Sequence, residues 1–139
     1  MKVLATAKGV RQSPRKIQVV AGLVRGRSVE DALVILEHTP RRAALAVKKT
    51  IQSAAANATH NHNVKADGLQ IAEISVTPGP SLKRYRPAAH GRALPFERRS
   101  AHIRVVVEGD LRAPKPVKKP AAKSAVSSVT KDDKKKETK

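Results

Sequence analysis

TPGPSLKRYRPAAHGRALPFERRSAHIRVVVE, residues 77–108, decides the architecture. Its last seven residues, HIRVVVE, place Ile103, Val105 and Val107 on one side of a strand. The segment before it, LQIAEISVT (69–77), alternates in the same way. Ala72, Ile74 and Val76 are expected inward, opposed by Glu73, Ser75 and Thr77. Leu69 and Ile71 have the other parity, so this strand either carries a bulge or starts near residue 72. Between the two strands, residues 79–101 show neither helical nor strand periodicity. A connection of this length without structure is uncommon in a compact domain unless it has a function or is disordered. Pro80, Pro87 and Pro95 favour extended backbone. Pairing strands hold the two ends, so the segment should leave and return as a hairpin projecting roughly 30–35 Å, at ~3.3 Å per residue. Gly91 lies near its midpoint and suits the reversal.

The chemistry of this arm is one-sided. Lys83, Arg84, Arg86, Arg92, Arg98 and Arg99 face a single acid, Glu97. Five of the six are arginine, the side chain that grips phosphate bidentately and stacks on bases. The two aromatic residues of the chain, Tyr85 and Phe96, are also here and not in the core. An arm with no apolar face needs a surrounding polyanion to hold it, and structured RNA offers crevices dense in phosphate. The bland alternative is a solvated basic loop.

Working outward, KVLATAK (2–8) is a weakly alternating strand with Val3, Ala5 and Ala7 on one side. Ser13-Pro14 is a cap-plus-proline start for a first helix, with an apolar stripe of Ile17, Val20, Ala21 and Val24 and a stop at Gly26. Gly22, inside it, suggests close helix packing. Ser28 opens a short second helix with Asp31 at capping-box spacing, burying Ala32, Leu33 and Leu36. Thr39-Pro40 repeats the start signal and is expected to open the longest helix, to about Asn57. Ala44, Val47, Ile51, Ala54 and Ala58 form its inner face, and Arg41, Arg42, Lys48 and Lys49 lie on another. Alanines at 54–56 and 58 point to close packing. The expected fold class is α+β: three helices packed on a small three-stranded antiparallel sheet, with a long extended β-hairpin and a disordered basic C-terminal tail. The globular domain is set at 1–110, with the hairpin at 79–101 and the tail at 111–139.

The chain has 139 residues, a net charge of +18 and no cysteine. Disulfide frameworks and thiolate zinc sites are therefore excluded. No 18-residue apolar run is present, so no transmembrane helix is expected. The N-terminal stretch lacks the apolar region of a secretory signal, which makes a cytoplasmic location the default. Charge of this size calls for a polyanionic partner or an acidic surface. Two aromatics are too few for a base-stacking platform. The tail carries ten basic and three acidic residues and no sustained apolar period. It cannot offset a backbone ordering cost of ~1–2 kcal/mol per residue.

Catalytic and metal motifs are missing. His60-Asn61-His62 does not place two imidazoles on one helix face, and no cysteine or carboxylate cluster stands near in sequence. Glu30 and Asp31 fit a helix first turn. Phosphate-loop, nucleophile-elbow and metalloprotease patterns are absent. No enzyme activity, metal, cofactor, membrane or small-molecule substrate is expected. Arg11, Arg15, Lys16, Arg25 and Arg27 cluster around the first helix as a second basic group.

GPSLKRYRPAAHGRA followed by RRSAHIRVVV, together with RQSPRKIQVVAGLVRG and RRAALAVKKTIQSAAANATHN, resembles the universal large-subunit ribosomal protein family numbered twenty-two. The resemblance spans about residues 1–110 and omits the tail. It implies a body on the outer surface of the large subunit, contacts with several rRNA domains, participation in early assembly, and a hairpin that follows rRNA inward to the peptide exit tunnel. rRNA contacts are then expected from Arg11, Ser13, Arg15, Lys16, Arg25, Arg27, Lys83, Arg84, Arg86, Arg92, Arg98 and Arg99. The tunnel wall would be formed by Leu82, Lys83, Arg84, His90, Gly91 and Arg92. In this family, hairpin changes at the position of Leu82-Lys83-Arg84 give macrolide resistance. The implied partners are large-subunit rRNA, other large-subunit proteins and the nascent peptide, in the cytoplasmic ribosome. The rival reading is a free-standing RNA chaperone or architectural nucleic-acid protein, which would need only the charge and not an ordered hairpin.

Overall fold

A computed structural model describes residues 1–111. The element order is β1 (Lys2–Val10), α1 (Pro14–Val24), α2 (Val29–His38), α3 (Arg42–Asn61), β2 (Gln70–Pro78), β3 (Leu82–Pro87), a single 3-10 turn (Ala89–Gly91), β4 (Ala93–Arg98) and β5 (Ala101–Glu108). β1, β5 and β2 form an antiparallel sheet in that order, with β5 central. β3 and β4 form a separate two-stranded ribbon. This is the expected α+β class. The expected tail, apart from Leu111, lies outside the described residues.

The three helices cover one face of the sheet. α1 packs on β2, α3 packs on β1 and β5, and α2 packs on α3. The core between them is aliphatic. Ile17, Ile51, Ile71, Ile74 and Ile103 are its largest fully buried side chains. The predicted stripes of α1 and α3 are buried throughout, as are Ala32 and Leu36 of α2, with Leu33 half-buried. Ala54 and Ala58 are fully buried while Ala56 is exposed, so close approach is confined to one face of α3. On β5, Ile103, Val105 and Val107 point inward as expected. Val3 and Ala5 of β1 do the same, with Ala7 half-buried. The other side of the sheet exposes Leu4, Thr6 and Arg104. At its edge Lys2 Nζ meets Glu108 Oε1 at 2.8 Å, and that hydrogen bond holds the ammonium above its usual range.

Four expectations are corrected. The register of β2 against β5 shifts between Ile71 and Glu73. Ala72 is the bulged residue and is exposed, which lets Ile71 and Ile74 both face the core. Thr39-Pro40 does not open α3. The Thr39 hydroxyl donates to the Ile35 carbonyl at 2.7 Å, closing α2 instead, and α3 starts at Arg42 and runs to Asn61. Ser13 has the N-cap backbone conformation, but its side chain makes no capping bond. Ser28 does cap, accepting from the Asp31 N–H at 3.1 Å and donating to the Asp31 carboxylate at 2.7 Å. Gly22 is exposed, with open space where a Cβ would stand, so it serves no helix packing.

The root of the ribbon is tied to the sheet. Pro78 pairs with Ala101, the Gly79 N–H donates to Ser100 O at 2.9 Å, and Ser100 Oγ donates to Pro80 O at 2.6 Å. A Cβ on Gly79 would stand 2.7 Å from Ser100 Oγ and 3.2 Å from His102 Nε2. His102 Nδ1 in turn accepts from the Gly9 N–H at 3.0 Å, where β1 departs from regular register.

Two stability measurements check this packing. Ile103→Ala should cost about 2–5 kcal/mol in denaturant melts, whereas Leu45→Ala on the exposed side of α3 should cost under about 0.5 kcal/mol. Gly79→Ala should cost about 1–3 kcal/mol by crowding Ser100 and His102, and His102 ring resonances should shift with it.

Candidate nucleic-acid interface

The arm is built by pairing Leu82 with Arg98, Lys83 with Glu97, Arg84 with Phe96, Tyr85 with Pro95, Arg86 with Leu94 and Pro87 with Ala93. Directly opposed residues of an antiparallel pair share a face. One face of the ribbon therefore holds Arg84, Arg86 and Arg98 with Leu82, Leu94 and Phe96. The other holds Lys83 and Glu97 with Tyr85 and the prolines. The cationic character predicted for the arm as a whole is concentrated on one side. Arg86 lies over the Phe96 ring, 5.7 Å from its centroid, a cation–π contact that restrains the guanidinium. Tyr85, on the opposite face, is 71% exposed. Every residue of β3 is exposed, so the arm contributes nothing to the core.

The reversal uses two left-handed residues. Gly91 has φ of 68°, and His90 before it has φ of 59°. Histidine is among the few side chains that adopt this region with any frequency. The Ala88 N–H donates to Arg92 O at 2.8 Å and closes the turn. His90, Gly91 and Arg92 therefore sit at the tip, while Leu82, Lys83 and Arg84 lie in the half nearer the body. Five residues, 85–89, separate the two groups, a span of roughly 15–20 Å at ~3.3 Å per residue. Lys83 also projects from the face opposite to Leu82 and Arg84.

The basic group around α1 divides in two. Arg11, Arg15 and Lys16 lie at its N-terminal end, while Arg25 and Arg27 lie beyond its C-terminal end, about 16 Å away along 11 residues. Arg25 Nη2 donates to Ile74 O at 3.1 Å and Arg27 Nε donates to Leu23 O at 3.0 Å, so each guanidinium is partly committed to backbone. The N-terminal group faces further cations. Arg41 and Arg42 at the start of α3, and Arg98 and Arg99 at the root of the arm, open onto the same cleft. Sequence reading placed Arg41 and Arg42 on an outer face of α3. The signal for their real position was Pro40, which breaks the chain just before them.

His60 lies in the last turn of α3 and His62 is its C-cap. Among the described residues, no three His, Cys, Asp or Glu side chains come together as a metal set, and no helix is long and apolar enough to cross a membrane. Glu30 and Asp31 occupy the first turn of α2.

The model of the family described as ribosomal protein L22p/L17e matches residues 5–108. The large ribosomal subunit protein uL22 of Desulforamulus reducens is 51% identical over 107 residues, which cover 77% of this chain and 95% of that protein. Its counterpart from Oceanobacillus iheyensis is 49% identical with the same coverage. That of Clostridioides difficile is 48% identical over 108 residues, covering 78% and 97%. The matched span takes in the helical layer, the whole projecting ribbon and all of the three-stranded sheet except the first three residues of β1, and on these grounds the chain belongs to the ribosomal protein L22p/L17e family.

Proposed function

We propose that the chain is a structural constituent of the large ribosomal subunit, with no catalytic role. The body binds rRNA at the subunit surface. The arm enters a crevice in the rRNA and reaches the wall of the nascent-peptide exit tunnel, and the protein supports early subunit assembly. One observation carries the reading: a two-stranded ribbon whose first strand is exposed throughout, with three arginines and no acid on one side. An isolated hairpin is marginal in water. This one needs an environment that neutralises Arg84, Arg86 and Arg98, and folded RNA supplies it.

In this reading Arg11, Ser13, Arg15 and Lys16 bind rRNA at one end of α1, with Arg25 and Arg27 at the other. Lys83, Arg84, Arg86, Arg92, Arg98 and Arg99 bind along the arm. His90, Gly91 and Arg92 at the tip, and Leu82, Lys83 and Arg84 nearer the root, line the tunnel at two depths. Residues 1–110 act as the rRNA-binding unit, with the remainder a separate basic segment. Other large-subunit proteins and the nascent peptide are neighbours in this arrangement.

The arm's sequence order matters here, not only its charge. Scrambling residues 79–101 at constant composition should abolish co-sedimentation with large subunits through a high-salt gradient. Low-salt affinity for bulk RNA should stay within about threefold. Full retention of the scrambled chain on subunits would favour a chaperone that uses charge alone. Replacing Arg84, Arg86 and Arg98 with Gln should also lower the slope of log affinity against log salt by about 2–3, since each lost phosphate contact removes ~0.7–0.9. An unchanged slope would place these arginines away from RNA.

A further inference from the structure

Where the arm meets the body, the surface opens into a cleft of about 880 Å³. Its two walls belong to different parts of the fold. The body wall carries Arg11, Lys16, Arg41 and Arg42, contributed by the end of β1, the start of α1 and the start of α3. The arm wall carries Arg98 and Arg99. The one acid lining the cleft, Glu97, meets Arg99 at 3.6 Å on its own wall, so it does not bridge to the body. Like charges therefore oppose each other across the gap, and attraction across it requires an anion.

One further feature suits a polyanion. Neither α1 nor α3 has an acidic residue in its first turn, so neither helix start brings a negative charge that would oppose an anion in the cleft. Six cations spread over two walls fit a run of sugar-phosphate backbone better than one small anion.

We propose that this cleft is a clamp for a stretch of RNA backbone, and that filling it fixes the angle between arm and body. The clamp rests on the rRNA-binding reading above and adds a division of labour to it. The arm face supplies affinity along the ribbon. The cleft sets the direction in which the ribbon points, because its occupant is held from both walls at once. Without it the arm is tied to the body through residues 78–80 and 99–101, at a joint where Gly79 sits against Ser100 and His102.

The chain contains no cysteine, so spin labels can be placed at will. Gln52→Cys on α3 and Ala89→Cys at the arm tip are both exposed. The distance distribution between them would be measured in the full chain, free and with transcribed large-subunit rRNA at saturation. The expected result is a broad distribution that narrows at least twofold on binding. In the body-wall variant Arg11→Gln/Arg41→Gln/Arg42→Gln, the distribution should stay broad at saturation. These three side chains are exposed, so folding should be intact, and thermal melts check it. The arm-wall variant Arg98→Gln/Arg99→Gln repeats the test from the other side. In Arg84→Gln/Arg86→Gln the affinity should fall about tenfold while the narrowing persists. A narrow distribution in the body-wall variant, or no narrowing in the unmodified chain, would overturn the clamp. So would complete loss of binding in the body-wall variant, since those residues would then be the main anchor. Failure of the unmodified chain to bind rRNA would overturn the parent reading, and the clamp with it.

Discussion

The pairing of β5 with both of its neighbours is the constraint on which the rest depends. β5 carries Ile103, Val105 and Val107 into the core and gives its two edges to β1 and β2. Because Pro78 pairs with Ala101, the excursion between β2 and β5 must begin and end at one point. That closure makes the intervening segment a narrow two-stranded ribbon and aims it away from the body. The helices follow from the same strand: α3 rests on β5 and β1 through alanines and aliphatic residues small enough for close approach.

The fold separates two kinds of surface energy. The body buries aliphatic residues and is stabilised by their removal from water. The arm buries almost nothing and gathers cations whose mutual repulsion opposes order. In the proposed reading its ordering is coupled to a polyanion, with neutralisation by RNA supplying what packing does not. Placement of the aromatics agrees with this division. Phe96 supports Arg86 instead of filling the core, and Tyr85 stands exposed on the less charged face.

Much of this was legible in the sequence where one period dominated. The alternation of Ile103, Val105 and Val107 and the helical spacing of Val47, Ile51, Ala54 and Ala58 are unambiguous, and each residue is buried as read. Gly91 marked the reversal, though not the second left-handed residue, His90, since histidine's enrichment at positive φ is too weak to single out one position. The β2 bulge was ambiguous because Ile71 and Ile74 are three apart, a spacing no regular strand places on one face. Thr39-Pro40 misled because a threonine hydroxyl can close the helix behind it as readily as open the one ahead. The cleft was out of reach, since Arg11, Arg41 and Arg98 are distant in the chain and are gathered only by the sheet. The basic cluster at α1 failed as a cluster for the converse reason: neighbours in sequence lie at opposite ends of a helix.

The central claim is that the arm lies inside folded rRNA while the body stays near its surface. A hydroxyl-radical source tethered through Ala89→Cys at the tip, and separately through Gln52→Cys on α3, tests this in assembled large subunits. The account predicts rRNA strand cleavage from both positions, with the tip cutting solvent-inaccessible segments that the α3 probe does not reach. Cleavage from α3 alone, with none from the tip, would contradict it.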